Sequence, residues 1–306
     1  MRPANHRLIR AAGSGFVVAA LVTALLPTLP VIAKGPIKVT GREVATSVDH
    51  QRIVPLPITA SHVALRWSGD HEAQVTVAFG NRPSELGEEV PVGEVDENER
   101  PDDADRPGLA RRAAGITSSG VLWTGGARFA RITTDRPLGQ VTVTAIDAQA
   151  DKGFVEGAIR VARAATNAPD IVPRSEWGAD ESLRFDSGGH EIWPPSFSPM
   201  QKAVVHHTAG RNNDPNPAAT VRAIYYMKAV GSDFGDIGYN FLIDEQGRIY
   251  EGRYSREYEP GEAHLAEDLA GNIVRGGHAR DFNDGTVGIA LLGTFTNRQP
   301  TNAARN

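Results

Sequence analysis

The sequence predicts two parts: a β-rich, sandwich- or barrel-like N-terminal module and a mixed-sheet α/β domain. Three observations lead there. Between residues 53 and 148 apolar side chains alternate with polar or small ones, as in Val63, Leu65 and Trp67, Val75, Val77 and Phe79, or Val141 and Val143. Period-two runs broken by Gly, Pro and Asp turns indicate strands of a sandwich or barrel. From Ile171 onward strands and a helix interleave instead, which implies a mixed sheet with helices packed on it. The length of 306 residues fits two such units at roughly 150 residues each.

The first element is not part of either unit. Arg2, Arg7 and Arg10 precede the apolar run Phe16-Val17-Val18-Ala19-Ala20-Leu21-Val22-Thr23-Ala24-Leu25-Leu26, and Pro27, Pro30 and the small residue Ala33 follow it. A basic start, a short apolar stretch and a small-residue exit describe a secretory signal peptide. Spanning a bilayer takes about 20 apolar residues, so a permanent anchor is the poorer reading. The expected signal is 1–33, cleaved after Ala33, with the mature protein secreted or at the cell wall and no stable membrane insertion. The whole chain carries a net charge of −5, and losing three arginines and no acid takes it to −8. That balance argues against a nucleic-acid partner, which needs a concentrated basic surface. The chain has no cysteine, which excludes disulfide scaffolds, CxxC sites and thiol nucleophiles within it.

The β-rich module is expected over residues 34–150. Within it, residues 85–105 hold ten acids and one base, Arg100. No EF-hand spacing is present, so a solvated acidic loop is expected rather than a calcium site. Residues 151–168 are rich in small residues and read as a linker, and Pro169-Asp170 opens the second domain, 169–306.

In that domain Lys202-Ala203-Val204-Val205-His206-His207-Thr208 reads as a buried strand. Asn216-Pro217 offers an N-cap followed by proline at the first helical position. The helix then carries Val221, Ile224, Tyr225 and Lys228 at helical spacing and ends at Gly231. Two strands flank the turn Asp244-Glu245-Gln246-Gly247, and Val287-Gly288-Ile289-Ala290-Leu291-Leu292 is a second buried strand.

His206 and His207 are adjacent on a strand, so they point to opposite faces. A strand-end histidine at the mouth of a sheet suits a zinc ligand, although position alone favours a structural histidine. Tyr239 reads alone as a core aromatic. Trp177 and Trp193 read as packing residues, and His190 and His264 as loop residues without a role.

Six ordered blocks change the odds. They are Arg174-Ser175-Glu176-Trp177-Gly178-Ala179; Val204-Val205-His206-His207-Thr208-Ala209-Gly210; Asp236-Ile237-Gly238-Tyr239-Asn240-Phe241-Leu242-Ile243; Gly247-Arg248-Ile249-Tyr250-Glu251-Gly252-Arg253; Gly277-His278-Ala279; and Val287-Gly288-Ile289-Ala290-Leu291-Leu292-Gly293. Together they resemble the type 2 N-acetylmuramoyl-L-alanine amidases, which share their domain with peptidoglycan recognition proteins. The resemblance covers residues 169–295, and 50–150 resembles more loosely the β-rich region of secreted bacterial members. It implies the amidase fold, peptidoglycan muramyl peptide as partner, and zinc-dependent hydrolysis of the amide between N-acetylmuramic acid and L-alanine. By the same resemblance His206 is a zinc ligand, and Tyr239 sits over the metal to assist the developing oxyanion. His278 contacts the substrate groove, with Thr208 and Asn240 as further polar groups along it.

The family's other two zinc ligands lie in Gly-His-Arg-Asp-like and Thr-x-Cys-Pro-Gly-like blocks after the Val287–Gly293 strand. Neither occurs in this sequence, which reads as a C-terminally incomplete domain. A catalytic zinc takes three protein ligands, so amidase activity is expected of the intact protein and not of this chain. The competing reading is a non-catalytic peptidoglycan-binding module.

Overall fold

A computed structural model describes residues 36–149 and 168–306, except 71, 97, 108 and 110–114. The expected signal peptide and nearly all of the expected linker lie outside the described residues.

The β module is one continuous nine-stranded antiparallel sheet. Its strands are β1 (Thr40–Val48), β2 (Gln51–Gly69), β3 (Val75–Arg82), β4 (Glu85–Leu86), β5 (Val90–Pro91), β6 (Glu94–Val95), β7 (Ile116–Ser119), β8 (Leu122–Thr134) and β9 (Leu138–Asp147), and the main path runs β1-β9-β2-β8-β3-β4. The 19-residue β2 has two sets of neighbours. Its first half pairs with β8, and its second half pairs with β9 and β7, with register shifts around Ala60 between them. Irregularities of this kind bend a strand, and here they let one strand serve both regions. Val63, Leu65 and Trp67 are buried with Val75, Val77, Val141 and Val143 in one core, the alternation visible in the sequence.

The second part is built on a five-stranded mixed sheet ordered β10-β14-β13-β16-β12. These strands are β10 (Ile171–Val172), β12 (Lys202–His207), β13 (Phe241–Ile243), β14 (Ile249–Glu251) and β16 (Thr286–Leu291), while β11 (Phe197–Ser198) and β15 (Ile273–Val274) form a separate pair. Strands β12, β16 and β13 run parallel. The helices are α1 (Arg174–Trp177), α2 (Pro217–Tyr226) and α3 (Asn302–Arg305). Helix α2 starts as expected: the Asn216 side chain accepts from the Ala219 N–H, with Pro217 at its first position. Its C-terminal end passes into a π turn, Met227–Gly231. No helix among the described residues is long and apolar enough to cross a membrane.

One strand departs from expectation. β12 was expected to be buried, yet it lies at the sheet edge and Val205 is 62% exposed. A continuous apolar run signals a strand that could be covered on both faces; it does not show that both faces are covered.

The two parts share a core. Val39, Ala64, Val121, Ile146 and Ala148 of the β module pack with Trp177, Val221, Ile224, Tyr225, Tyr239 and Leu242 of the α/β part. Polar bonds cross the same junction. Arg222 donates to Ala148 O at 3.0 Å, Arg66 to Gly231 O at 2.8 Å, and His62 Nε2 lies 2.8 Å from the Thr220 hydroxyl.

Candidate functional site

The site forms where β12, the turn before β13 and the end of α2 converge. His206 and His207 do point apart. His207 Nδ1 accepts from the Phe295 N–H at 2.9 Å, a structural contact. His206 faces inward: its Nδ1 lies 3.1 Å from Glu99 Oε1, and its Nε2 lies 3.2 Å from His278 Nδ1. The hydroxyl of Tyr239 donates to the other Glu99 oxygen. Lys228, carried inward by the π turn, donates to the Glu99 carbonyl at 3.1 Å and stands 4.0 Å from its carboxylate. One carboxylate thus receives three side chains from segments 206, 228 and 239.

The electrostatics agree with that convergence. Burial alone would raise the pKa of Glu99, but the bond to His206, the Lys228 charge and the Tyr239 hydroxyl hold it below the usual carboxylate range. Burial and then the Glu99 charge push the Tyr239 phenol well above its ordinary value. Burial draws the Lys228 ammonium down, with Glu99 opposing. Burial, and then the proximity of His206, lower the His278 pKa to about 4. Near neutral pH, Glu99 is therefore an acceptor only and His278 is neutral. Of the two ring nitrogens that face each other, His206 Nε2 and His278 Nδ1, one must donate and the other accept.

Of the five expected site residues, the structure brings His206, Tyr239 and His278 together, sets Thr208 on the wall of the void beside Tyr239, and gives Asn240 different work. Asn240 was expected to touch a ligand. It is fully buried, its Oδ1 accepting from Gly288 N at 2.8 Å and its amide donating to Val274 O at 2.8 Å, so it ties β13 to β16 and β15. Thr208 is also buried, and its hydroxyl accepts from Gly293 N at 3.0 Å. His278 is itself 0% exposed and reaches the site through His206 rather than through an open groove. A void of about 50 Å³ beside Lys228 and Tyr239 is walled by Leu65, Val121, Thr208 and Ile224.

Glu99 and Lys228 were missed as site residues. Glu99 belongs to the stretch expected to be a solvated loop; instead it is 8% exposed and Arg100 is 7% exposed. One acid among ten carries no local mark of docking. Lys228 did leave a signal, because a cation in line with Val221, Ile224 and Tyr225 on the buried stripe needs an anionic partner.

The geometry also tests the implied zinc. Among the described residues no group of three or more His, Cys, Asp or Glu side chains is placed to hold a metal ion. His206 is the one residue expected as a ligand, and its Nδ1 is turned to Glu99 and its Nε2 to a second histidine. The residues present do not fit a catalytic zinc centre.

Comparison with known proteins places this arrangement. The family model described as N-acetylmuramoyl-L-alanine amidase matches residues 196–306. Peptidoglycan-recognition protein SC2 of Drosophila simulans is 31% identical over 159 residues, covering 50% of this chain and 71% of that protein. Peptidoglycan-recognition protein 1 of Holotrichia diomphalia is 28% identical over 151 residues, covering 47% of this chain and 63% of that one. The chain therefore spans about two thirds of the length of these relatives. Among solved structures, human PGRP-IBETAC in complex with glycosamyl muramyl pentapeptide is 31% identical, covering 45% of this chain and 70% of that chain, at a TM-score of 0.33. The 31% identity to peptidoglycan-recognition protein SC2, over 71% of that protein, together with the amidase family model matched over residues 196–306, shows that the chain belongs to the type 2 N-acetylmuramoyl-L-alanine amidase and peptidoglycan recognition protein family.

Proposed function

We propose that this chain recognises the muramyl peptide of cell-wall peptidoglycan, acting outside the cytoplasm after removal of residues 1–33. The observation that carries the reading is the meeting of His206, Tyr239 and Lys228 at one carboxylate in a buried setting. Donors gathered in a low-dielectric pocket favour an anionic group there, and a muramyl peptide carries carboxylates. The similar human protein was solved with a muramyl pentapeptide, which supports the ligand class. The expected result is that the purified chain cosediments with insoluble peptidoglycan at high wall concentration and that soluble muramyl dipeptide releases it. Protein that stays wholly in the supernatant would sink the reading.

A second reading, hydrolysis of the amide between N-acetylmuramic acid and L-alanine, is supported by Tyr239 standing beside His206, ring centroids 5.9 Å apart. The phenol is placed to donate to a developing oxyanion. Hydrolysis in this family draws on zinc, and the ligand set described above does not supply a zinc site. Zinc titrated into the 306-residue chain is accordingly expected to bind weakly, with no stem peptide released from purified wall. Tight one-to-one zinc binding lost in His206→Ala would overturn that and point to His278 and Glu99, which flank His206, as further ligands.

A further inference from the structure

We propose that His206, Tyr239 and Lys228 form a carboxylate-binding site which the protein fills with its own Glu99, making residues 98–107 an intramolecular competitor of the external ligand. The identity of that ligand rests on the peptidoglycan reading; the site rests on geometry alone.

The segment comes from the β module, between β6 and β7, and lies on the α/β part. Arg280 N donates to Asn98 O at 2.8 Å, and the Asn283 amide donates to Arg100 O at 3.0 Å and Asp102 Oδ1 at 2.8 Å. Farther along, Asp103 pairs with Arg280 at 2.9 Å and Asp105 with Arg275 at 3.2 Å. Pro101 presses on Gly277, where an added Cβ would come within 2.7 Å of the proline nitrogen. Just beyond the segment, Leu109 is buried with Trp193 and Phe234.

Two features separate a competitor from a permanent wall. The first is occlusion. With the segment in place Tyr239 is 1% exposed and His278 is 0% exposed, so neither side chain is open to a sugar–peptide. A ligand that uses Tyr239 must displace Glu99. The second is how the segment is held. Of its two outer ion pairs, Asp103 with Arg280 leaves the aspartate side chain 51% exposed, and exposed pairs contribute little, while Asp105 with Arg275 leaves the aspartate 13% exposed and is the stronger hold. The concentrated interaction is Glu99 itself, whose carboxylate meets His206 and Tyr239 directly and lies 4.0 Å from the Lys228 ammonium, as a ligand's carboxylate would. A ligand carboxylate replaces that interaction in kind, so exchange costs mainly the outer contacts.

Two measurements test this in the full chain. The first uses acetate alone, with no peptidoglycan. In Glu99→Ala the vacated site is expected to take acetate, so that millimolar acetate raises the melting temperature of the variant and leaves wild type unmoved. Equal response in both proteins overturns the carboxylate site. The second uses muramyl dipeptide. Glu99→Ala is expected to bind it about 10-fold or more tightly than wild type, because apparent affinity is reduced by the fraction of sites open. Amide hydrogen exchange in residues 98–107 of wild type is expected to rise as the ligand saturates. Equal affinity with unchanged exchange overturns the competitor. A selective acetate effect with no muramyl dipeptide binding to either protein keeps the site and retires the peptidoglycan reading instead. Should Glu99→Ala fail to fold, Glu99→Gln keeps the volume, removes the charge and carries the affinity and exchange comparison.

Discussion

Replacing Asp236 with alanine is expected to remove about 3–5 kcal/mol of folding stability, the range for stripping one partner from a buried ion pair. Asp236 is 0% exposed and its two oxygens are fully used. Oδ1 accepts from Arg174 Nη1 at 3.1 Å and Ile237 N at 2.8 Å, while Oδ2 accepts from Arg253 Nη1 at 2.7 Å and Tyr254 N at 3.0 Å. Burial would raise its pKa, but the charges of Arg174 and then Arg253 keep it below the ordinary aspartate value. Arg253 is also 0% exposed. Without Asp236 that guanidinium keeps the Trp193 carbonyl at 2.6 Å but loses its buried counter-charge. Arg174 is less stranded, since Glu181 accepts from it at 2.8 and 3.0 Å. The expected loss is a large share of a typical total of about 5–15 kcal/mol. Urea unfolding checks it, with Glu181→Gln as the control. Glu181 is 41% exposed on its side chain, so its loss is expected to cost about 1 kcal/mol or less. Equal, small shifts in both variants would show that the arginines find water when Asp236 is gone. The site would feel the difference too, because Asp236 anchors the backbone three residues before Tyr239.

That network shows what a single sequence conceals. Helix α2 was legible because its signals are local: Asn216, Pro217 and the apolar stripe lie within one stretch of chain. The β module was legible because alternation is local as well, and Val63, Leu65 and Trp67 are buried where period two placed them. The pairing of Asp236 with Arg174 and Arg253 spans 62 and 17 positions, and no periodicity registers it. Glu99 is harder still, meeting Tyr239 across 140 positions from within an acid-rich run that charge patterning reads as solvent-facing. His206 and Tyr239 came through only because their surrounding blocks resemble a family. Asn240 shows the limit of such blocks: a polar side chain inside a functional motif can be there to hold strands together.

Acidification from pH 7.5 to pH 5 is expected to cost about 2 kcal/mol through His62 alone, from the difference between its folded and unfolded proton affinities. His62 is 2% exposed on β2, with Nδ1 2.9 Å from the Ser61 hydroxyl and Nε2 2.8 Å from the Thr220 hydroxyl. Burial first, and then the Arg222 charge, lower its pKa from 6.5 to about 3. In the folded protein it therefore stays neutral while the unfolded chain takes up a proton below 6.5. The unfolded state binds more protons between those two values, so stability is intact above pH 6.5 and falls as pH drops toward 3. His278, lowered to about 4 by burial and then by His206, works in the same direction over most of that window. Comparing wild type with His62→Gln at each pH isolates the first contribution. The glutamine keeps a hydrogen-bonding group for Thr220 and has no proton to gain. The variant is expected to be less stable than wild type at pH 7.5, with the gap closing by about 1.4 kcal/mol per pH unit below 6.5. Parallel stability curves would mean that folded His62 accepts a proton and that the junction admits water. The consequence reaches the site through the chain itself: Thr220 lies on α2, and the π turn that ends α2 carries Lys228 to Glu99. Loosening the His62 contact in acid therefore acts on the helix that sets one of the three donors around that carboxylate.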